Sequence, residues 1–203
     1  MTERAPVFHL LAGPNGAGKT TLYRALVADG VIHEALEFVN ADHYERHHLR
    51  HIMDAQQRSE AARQWADARR ASLLKAGQSF VSETVFSHAS KLALIQDAQA
   101  HGFMVALYAV ALDDPQRLLQ RVRQRVKEGG HDVPAERILS RYPRTLANLA
   151  LAVRVADAAY LYDAREVEAG GLQLVAVCQG AQTRQMASLP PAWVRQLLGD
   201  TSR

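Results

Sequence analysis

The stretch Gly13-Pro14-Asn15-Gly16-Ala17-Gly18-Lys19-Thr20 decides the fold of this chain, because it matches the phosphate-loop pattern G-x-x-x-x-G-K-[ST]. The apolar run at residues 7–12 before it is typical of a buried strand, and residues 21–27 after it are typical of a helix. The alternative is an ordinary glycine-rich turn between a strand and a helix. The full motif in the order strand, loop, helix favours the phosphate site.

The residue types of this loop suit the binding of a nucleotide triphosphate. Glycines let the backbone approach a phosphate, and successive N–H groups converge on its oxygens at the positive end of a helix. We expect Lys19 to reach the β- and γ-phosphates and the Thr20 hydroxyl to ligate Mg²⁺. The stretch from Gly13 to Thr21 therefore predicts a site for ATP or GTP with Mg²⁺.

Composition limits the class of protein. The chain has 203 residues, 48% hydrophobic, with a net charge of +3 and a pI of about 9.2. This length fits one α/β domain, and the mild basicity suits nucleic acid or a phosphorylated small molecule equally. Cys178 is the single cysteine, so no internal disulfide can form. Because no signal-peptide pattern or long apolar run is present, we expect a soluble cytoplasmic protein without membrane contact.

Apolar runs that alternate with helical patterns predict a three-layer α/β fold of the P-loop kinase type, a parallel sheet flanked by helices with a helical lid. Residues 1–203 are predicted to form one P-loop kinase domain. The predicted strands are 7–12, 36–40, 79–84, 103–112, 158–162 and, last in the chain, 172–178. The predicted helices are 19–28, one or two within 43–75, 89–101, one from Asp114-Pro115, one from 131–134 that Pro143 kinks or restarts, 148–156 and 190–199.

Polar side chains follow the second and third predicted strands, at the edge of a parallel sheet where ligands bind. Asn40 and Asp42 follow the second strand, and Glu83 and Thr84 end the third. We interpret Asp42 as the carboxylate that faces a hydroxyl acceptor; helix capping and a place in the metal shell are its alternatives. Asn40, Glu83 and Thr84 are predicted to contact the substrate. Glu83 and Thr84 alternatively hold a metal-bound water, and helix capping by Ser82 or Thr84 is the other reading.

A basic region follows the fourth strand. Arg117, Arg121 and Arg125 recur every four residues on one helix face, and a second basic helix carrying Arg137, Arg141 and Arg144 follows Gly129-Gly130. Two basic helices joined by glycines, at about 117–145, predict a lid that closes over phosphates, because guanidinium groups grip phosphate oxygens. The alternative is a solvated charged face. We take Arg121 and Arg125 as the candidate catalytic arginines.

The helix after Asp42 is rich in aromatic and histidine side chains. Tyr44 is predicted to contact the acceptor. His47 and His51 have the spacing of metal ligands, but no H-E-x-x-H pattern or nearby cysteine accompanies them, so a solvated or substrate-facing surface is favoured over zinc.

The remaining pattern separates a small kinase from other P-loop proteins. No apolar strand ends in Asp-Glu as in ATPase motors; the nearest match is Leu112-Asp113-Asp114, which Pro115 and a basic helix follow. A nucleic-acid end kinase is a second reading, although no basic groove with interleaved aromatics is visible. A nucleotide-dependent regulator acting on a protein partner is a third.

Taken together, these motifs resemble the zeta-toxin family of P-loop kinases. The matching pieces are the phosphate loop, Asn40-Ala41-Asp42, Ser82-Glu83-Thr84, the segment from Arg121 to Arg144, and Asp157 to Asp163. The resemblance implies phosphorylation of a hydroxyl by ATP or GTP, in zeta toxins that of UDP-N-acetylglucosamine. It also implies Asp42 as base, Lys19 on phosphate, arginines of the Arg121 to Arg125 stretch on the transferring group, and an antitoxin partner.

Overall fold

The computed structural model describes residues 5–128, 133–167, 171–180 and 182–199. Its strands are β1 Val7–Ala12, β2 Glu37–Val39, β3 Phe80–Thr84, β4 Met104–Ala111, β5 Ala158–Asp163, β6 Gln173–Gln179 and β7 Gln182–Gln185. Its helices are α1 Lys19–Ala28, α2 Ala41–His48, α3 Ala55–Lys75, α4 Leu92–Ala100, α5 Pro115–Lys127, α6 Ala135–Val155 and α7 Ala192–Leu198, with a 3₁₀ turn at Ala89–Lys91 before α4. No helix among the described residues is both long and apolar enough to cross a membrane.

The seven strands form one sheet in the order β2-β3-β1-β4-β5-β6-β7. The first five of these are parallel, so β1 lies between β3 and β4 and its carboxyl end opens at the centre of the sheet. The phosphate loop leaves the sheet at that central position. This arrangement is the mixed α/β fold that the sequence predicts, dominated by parallel strands.

The carboxyl-terminal strands differ from the prediction of a purely parallel sheet. Strand β6 runs antiparallel to β5, and β7, which the sequence did not predict, runs antiparallel to β6. The segment 164–172 is too short for the crossover of a dozen or more residues that a parallel connection needs. The chain therefore turns back on itself after β5.

Helices cover both faces of the sheet, which gives three layers. Helices α3, α4, α6 and α7 bury the core around Phe8, Leu107 and Trp193. Helices α1 and α5, with the start of α6, pack on the other face around Leu11 and Val110. Strand β4 is nearly continuous in apolar residues, as expected for a strand covered on both faces.

Two acidic residues after β4 bind the backbone N–H groups at the starts of two helices, α5 and α7. Asp114 caps α5 by accepting from the backbone N–H of Gln116, and Pro115 occupies the first turn as predicted. The Asp113 carboxylate accepts from the N–H groups of Ala192 and Trp193 at the start of α7, at 3.1 and 2.7 Å. Both carboxylates thus have structural partners, which agrees with their not forming the acidic strand end of a motor.

Helix α6 is longer than the sequence predicts. Pro143 lies inside it, and the helix continues from Ala135 to Val155 instead of restarting. Proline removes one backbone hydrogen bond, which leaves the carbonyl of Leu139 without its helical donor. Leu139 itself is exposed on the surface of the helix. The predicted break at Gly129-Gly130 lies outside the described residues.

Candidate active site

The phosphate loop connects β1 to α1 with backbone that is open toward a ligand. Gly16 has φ +81° and Gly18, the N-cap of α1, has φ +92°, both in the left-handed region. No side chain in the described part of the chain caps α1. Its first N–H groups are therefore available to an anion at the positive end of the helix.

Gly13 is required where the loop leaves the sheet. A Cβ atom at this position would lie 2.0 Å from the carbonyl oxygen of Val110 in the neighbouring strand β4. The Gly13 N–H donates to the carbonyl of Thr84 at 3.3 Å, on the other side. The loop is thus wedged between two strands, and this close approach fixes its position.

Lys19 is buried beneath this loop, with 7% of its side chain exposed. Its ammonium donates to the carbonyls of Gly13 and Pro14 at 3.1 and 3.2 Å. It also lies 3.6 Å from Oε1 of Glu83. These oxygens satisfy the buried ammonium and hold it at the phosphate site.

Glu83 connects three elements at the carboxyl edge of the sheet. Its Oε2 accepts from the Thr20 hydroxyl at 3.2 Å and from the Asn40 side-chain amide at 3.0 Å. Together with Lys19, these contacts join the phosphate loop, β3 and the start of α2. Of the two residues for which helix capping is the alternative, Ser82 donates its hydroxyl to the Val39 carbonyl at 3.0 Å, and Thr84 accepts from the Phe86 N–H at 3.4 Å.

Asn40 and Asp42, which follow β2, have different roles: one caps a helix and the other faces a cavity. Asn40 caps α2, because its Oδ1 accepts from the backbone N–H of His43 at 3.0 Å. Asp42 lies in the first turn of α2, is exposed, and lines a cavity beside the phosphate loop. Asp42 therefore faces open space that a ligand can enter.

Two cavities meet at this edge. The first, of about 210 Å³ and here called the acceptor cavity, is lined by Asp42, Thr84 and Arg141 among others. The second, of about 280 Å³ and here called the nucleotide cavity, is lined by the loop with Thr20, Thr21 and Arg121. The residues that line both cavities are Lys19, Glu83 and Arg125.

The predicted arginines of α5 contact different parts of the site. Arg125 lies between the cavities. Arg121 lines only the nucleotide cavity and donates to the carbonyl of Ala164 at 2.8 Å, after the end of β5. Arg117 donates to the carbonyl of Arg165 at 2.7 Å. Helix α5 thus packs over the phosphate loop and along the segment after β5; the movement of a lid remains a prediction.

Arg141 reaches the acceptor cavity from α6. Burial, and then the neighbouring charges of Arg137 and Arg144, lowers the pKa of its guanidinium from its ordinary value. The side chain still carries its charge at neutral pH. Arg141 thus brings a second arginine to the acceptor side, which the sequence placed only in the general basic region.

The loop after β3 forms another wall of the acceptor cavity. Phe86 has φ +61°, which is rare for a bulky residue, while its ring is fully buried in the core. Its carbonyl accepts from the Asn148 side chain of α6 at 3.0 Å. The anchored ring and this bond hold Ser87 and His88 at the cavity.

Tyr44 does not line the acceptor cavity. Its ring stacks on Trp65 of α3 at 3.9 Å and on His48 at 4.7 Å. Two residues along a helix differ by about 200° in direction, so Tyr44 points away from the side of Asp42. Contact between Tyr44 and an acceptor stays a prediction that this placement does not support.

The site residues that sequence reasoning missed lie on α3 and the turn before α4. Arg63, Arg70 and Lys91 line the acceptor cavity. Arg70 follows Ala62 and Ala66 at intervals of four residues in the buried stripe of α3. That position in an apolar stripe is a sequence signal that could have identified it.

The donor set at Thr20 suits Mg²⁺. The Thr20 hydroxyl and the Glu83 carboxylate are adjacent oxygen groups, and Mg²⁺ is commonly held by one or two protein oxygens, waters and phosphates. Among the described residues, no group of three or more His, Cys, Asp or Glu side chains could hold a metal ion. His43 and His47 stack at 4.3 Å on the surface of α2.

Solved structures of toxins share this fold. The PezAT toxin-antitoxin system of Streptococcus pneumoniae aligns with a TM-score of 0.64 and 15% identity over 100% of this chain and 82% of that chain. AvrRxo1-ORF1:AvrRxo1-ORF2 with sulphate ions gives 0.72 and 18%, over 98% of this chain and 65% of that one. The same pair with ATP gives 0.69 and 21%, over 89% and 60%. The chain thus spans less than two thirds of the AvrRxo1 chains.

At these identities the structural likeness establishes the fold. A comparison with curated protein sequences gave no match. The sequence profile of the family described as Zeta toxin matches residues 1–166, which contain the phosphate loop, Asp42, Glu83 and both basic helices. The resemblance inferred from the motifs is confirmed: this chain belongs to the zeta-toxin family.

Proposed function

We propose that this protein is a kinase that transfers the γ-phosphoryl group of ATP or GTP to a hydroxyl of a small molecule in the acceptor cavity. The observation that carries the proposal is the wall of Lys19, Glu83 and Arg125, which is common to the nucleotide and acceptor cavities. A phosphoryl group transferred between the two cavities has to pass these side chains. Phosphoryl transfer needs mainly positioning and charge neutralisation there.

The cations at this wall match the charge that develops during transfer. Lys19 and the loop N–H groups hold the β- and γ-phosphates, and Arg125 and Arg141 approach the transferring group from the helical side. Fixed cations in a partly desolvated cavity stabilise the transition state more strongly than mobile ones in water. Arg121, tied to the segment after β5, is assigned to the nucleotide.

Asp42 serves as the proton acceptor in this proposal. The acceptor oxygen forms a bond to the γ-phosphorus, the bond from that phosphorus to the β–γ bridging oxygen breaks, and the nucleoside diphosphate leaves. The hydroxyl proton moves to the Asp42 carboxylate. Its exposure to the acceptor cavity supports this role.

Mg²⁺ is assigned to the Thr20 hydroxyl, with Glu83 as the adjacent carboxylate. When bound, the metal would neutralise charge on the phosphates. Asn40 orients Glu83 through its amide donor.

The finer proposal names the acceptor and a partner. A nucleotide sugar such as UDP-N-acetylglucosamine is the acceptor that the family resemblance suggests. The net positive lining of the acceptor cavity, six cationic against two acidic side chains, favours an anionic molecule. An antitoxin protein is proposed as partner, supported by the PezAT and AvrRxo1-ORF1:AvrRxo1-ORF2 neighbours.

The test is nucleoside diphosphate release from Mg-ATP and Mg-GTP, with and without UDP-N-acetylglucosamine, for the wild type, Lys19→Ala and Asp42→Asn. Acceptor-stimulated turnover should fall by about 10³-fold in Asp42→Asn with the KM for ATP unchanged. Asp29→Asn is the matched control, because Asp29 is an exposed carboxylate outside both cavities.

A 5′-hydroxyl oligonucleotide as acceptor tests the end-kinase alternative in the same assay. Turnover that no hydroxyl compound stimulates, and that Asp42→Asn leaves unchanged, would overturn the kinase proposal. Nucleotide-controlled binding of a protein partner would then favour a regulator.

A further inference from the structure

Three cationic side chains of the acceptor cavity come from elements that take no part in the phosphate loop. Arg63 and Arg70 lie on α3, and Lys91 lies on the 3₁₀ turn before α4. The same three side chains line a neighbouring cavity of about 310 Å³ between α3 and α4. They therefore form a continuous positive wall, to which the chemistry described above assigns no role beyond a share in the net charge of the acceptor cavity.

One carboxylate lies among these cations. Asp67 Oδ1 accepts from Nη2 of Arg70, its Oδ2 lies 3.3 Å from Nη1 of Arg63, and Lys91 Nζ lies 4.0 Å from Oδ1. Glu60 also pairs with Arg63, from the exposed side of α3. Among the described residues, these three cations thus pair with two carboxylates, and Asp67 contacts all three.

Arg70 is the fixed member of the wall. Only 7% of its side chain is exposed, and its Nη1 donates to the Ser82 hydroxyl at 3.2 Å. Ser82 in turn donates to the carbonyl of Val39 at 3.0 Å. The Nε atom of Arg70 is buried without a hydrogen-bond partner in the part of the chain that the structure describes. Arg70 is therefore held by β3 directly and linked to β2 through Ser82, and its guanidinium is incompletely satisfied.

Lys91 is the member whose charge is least compensated. Its side chain is 25% exposed, and among the described residues the ion pair given for it is the long contact to Asp67, at 4.0 Å. Burial lowers the pKa of its ammonium; Asp67 opposes this effect, and the charges of Arg70 and Arg63 reinforce it. Partly buried cations that repel each other favour the entry of an anion.

We propose that Arg63, Arg70 and Lys91 form an oxyanion subsite that selects acceptors carrying a phosphate or carboxylate group apart from the reacting hydroxyl. Asp67 is the internal carboxylate with which that oxyanion competes for Arg63 and Lys91. The identification of the bound molecule as the acceptor rests on the proposed function. The anion site itself rests on the side chains described above. The subsite makes α3 and the turn before α4 the part of the fold that determines specificity.

A purely structural role would have different consequences. If the cluster only held α3 against α4, loss of Lys91 would lower the melting temperature and leave anion affinity unchanged. A subsite predicts lower anion affinity in a protein that still folds. Removal of the Asp67 charge further distinguishes the structural role from the anion subsite. If Asp67 competes with the bound anion, the affinity for the anion should rise.

The experiment is calorimetric titration of the full chain with pyrophosphate at low ionic strength, after saturation of the phosphate loop with Mg-ADP. Arg63→Gln and Lys91→Gln should each weaken pyrophosphate binding about tenfold, since each removes one charge-assisted contact. Asp67→Asn keeps an oxygen for Arg70 and should tighten binding about threefold. Lys75→Gln, an exposed lysine on the same helix outside the cavities, should change nothing.

Comparison of pyrophosphate with D-gluconate distinguishes a phosphate from a carboxylate as the preferred group. Equal pyrophosphate affinity in the wild type, Arg63→Gln and Lys91→Gln, with melting temperatures confirming that each is folded, would overturn the subsite. Weaker binding in Asp67→Asn would overturn the competition.

The Mg-ADP titration that precedes this experiment keeps the two proposals apart. Failure to bind Mg-ADP contradicts the nucleotide site alone; pyrophosphate titration of Lys19→Ala then tests the subsite. Normal Mg-ADP binding without a Lys91-dependent anion site contradicts the subsite alone.

Discussion

The nucleotide side and the acceptor side of this site are built from different material. The nucleotide side is mainly backbone: one contiguous loop, two left-handed glycines and an uncapped helix start. The acceptor side is mainly side chains, brought from β3, α2, α3 and α6. A backbone site can be recognised from one short motif, whereas a side-chain site depends on contacts between distant parts of the chain.

The difference also separates what each side tolerates. A phosphate site built from backbone is lost when an added side-chain atom forces the loop to move, whatever the chemistry of that atom. A side-chain cavity changes its preference when one charge or one hydrogen bond changes. Backbone changes in the phosphate loop should therefore abolish nucleotide binding, whereas changes in the side chains around the acceptor cavity, other than Asp42, should alter acceptor preference by degrees.

The largest effect is expected for Gly13→Ala. The new methyl would meet the Val110 carbonyl at 2.0 Å, so the loop or β4 must move. We expect destabilisation of about 3 kcal/mol or more and loss of ATP binding. Urea unfolding and ATP titration measure both.

Gly30→Ala is the matched control for backbone conformation. Gly30 has φ +69°, and a Cβ there would meet nothing within 4 Å. We expect a cost of about 1 kcal/mol, from backbone strain alone, with ATP binding intact. Equal losses in the two variants would mean that the close approach to β4 does not fix the loop.

The next effect compares two arginines of α5. Arg125→Gln should lower kcat about 10²-fold, because Arg125 lies between the cavities. Arg121→Gln should mainly raise the KM for ATP, since Arg121 lines the nucleotide cavity alone. Steady-state kinetics with both substrates varied makes the comparison, and the reverse pattern would exchange the two roles.

A moderate effect is expected for Glu83→Gln. Glutamine keeps an oxygen for Thr20 and Asn40 but removes the negative charge 3.6 Å from the buried Lys19. We expect a loss of about 2 kcal/mol in the free energy of unfolding and a higher Mg²⁺ requirement. Urea unfolding and Mg²⁺ titration of turnover measure the two.

Glu45→Gln provides the control for that variant. Glu45 is buried and pairs with Arg58 at 3.0 Å, outside both cavities. It should lose stability without any change in Mg²⁺ requirement. A changed requirement in Glu45→Gln would show that stability, and not the Thr20–Glu83 pair, controls the metal response.

The smallest effect is expected for Asn148→Ala. The variant removes the donor to the Phe86 carbonyl, which should cost about 1 kcal/mol of stability. It should also raise the KM for the acceptor severalfold, because the loop 85–88 lines that cavity. Gln99→Ala removes amide hydrogen bonds to the Val155 carbonyl and the Asp157 carboxylate, remote from the site. A KM that rises equally in both would contradict the role of Asn148.

Contiguous motifs carried most of what the sequence could predict. The strand, loop and first helix follow one another along the chain, so their geometry is local. Asp42 and Glu83 were located from their positions after strands, because parallel strands end at one edge. No such rule gives the Thr20–Glu83 hydrogen bond, which joins residues 63 positions apart.

The differences between the sequence-based expectations and the structure have physical causes. Contact between Tyr44 and an acceptor stays a prediction, which the helix disfavours because it turns the side chains of Tyr44 and Asp42 apart. Strand β6 is antiparallel to β5 because the segment 164–172 is too short for a parallel crossover. Arg63 lies in a polar helix, where charged residues normally face solvent, whereas Arg70 belongs to the buried stripe of the same helix.

The unbroken course of α6 through Pro143 sets a limit on how this lineage can evolve. Arg141 and Asn148 are seven residues apart, close to two full turns, and so share one face of the helix. Inserting or deleting a single residue between them would rotate one of the two by about 100° relative to the other. Relatives that keep both contacts should therefore vary in length between these positions only by whole turns, and elsewhere more freely.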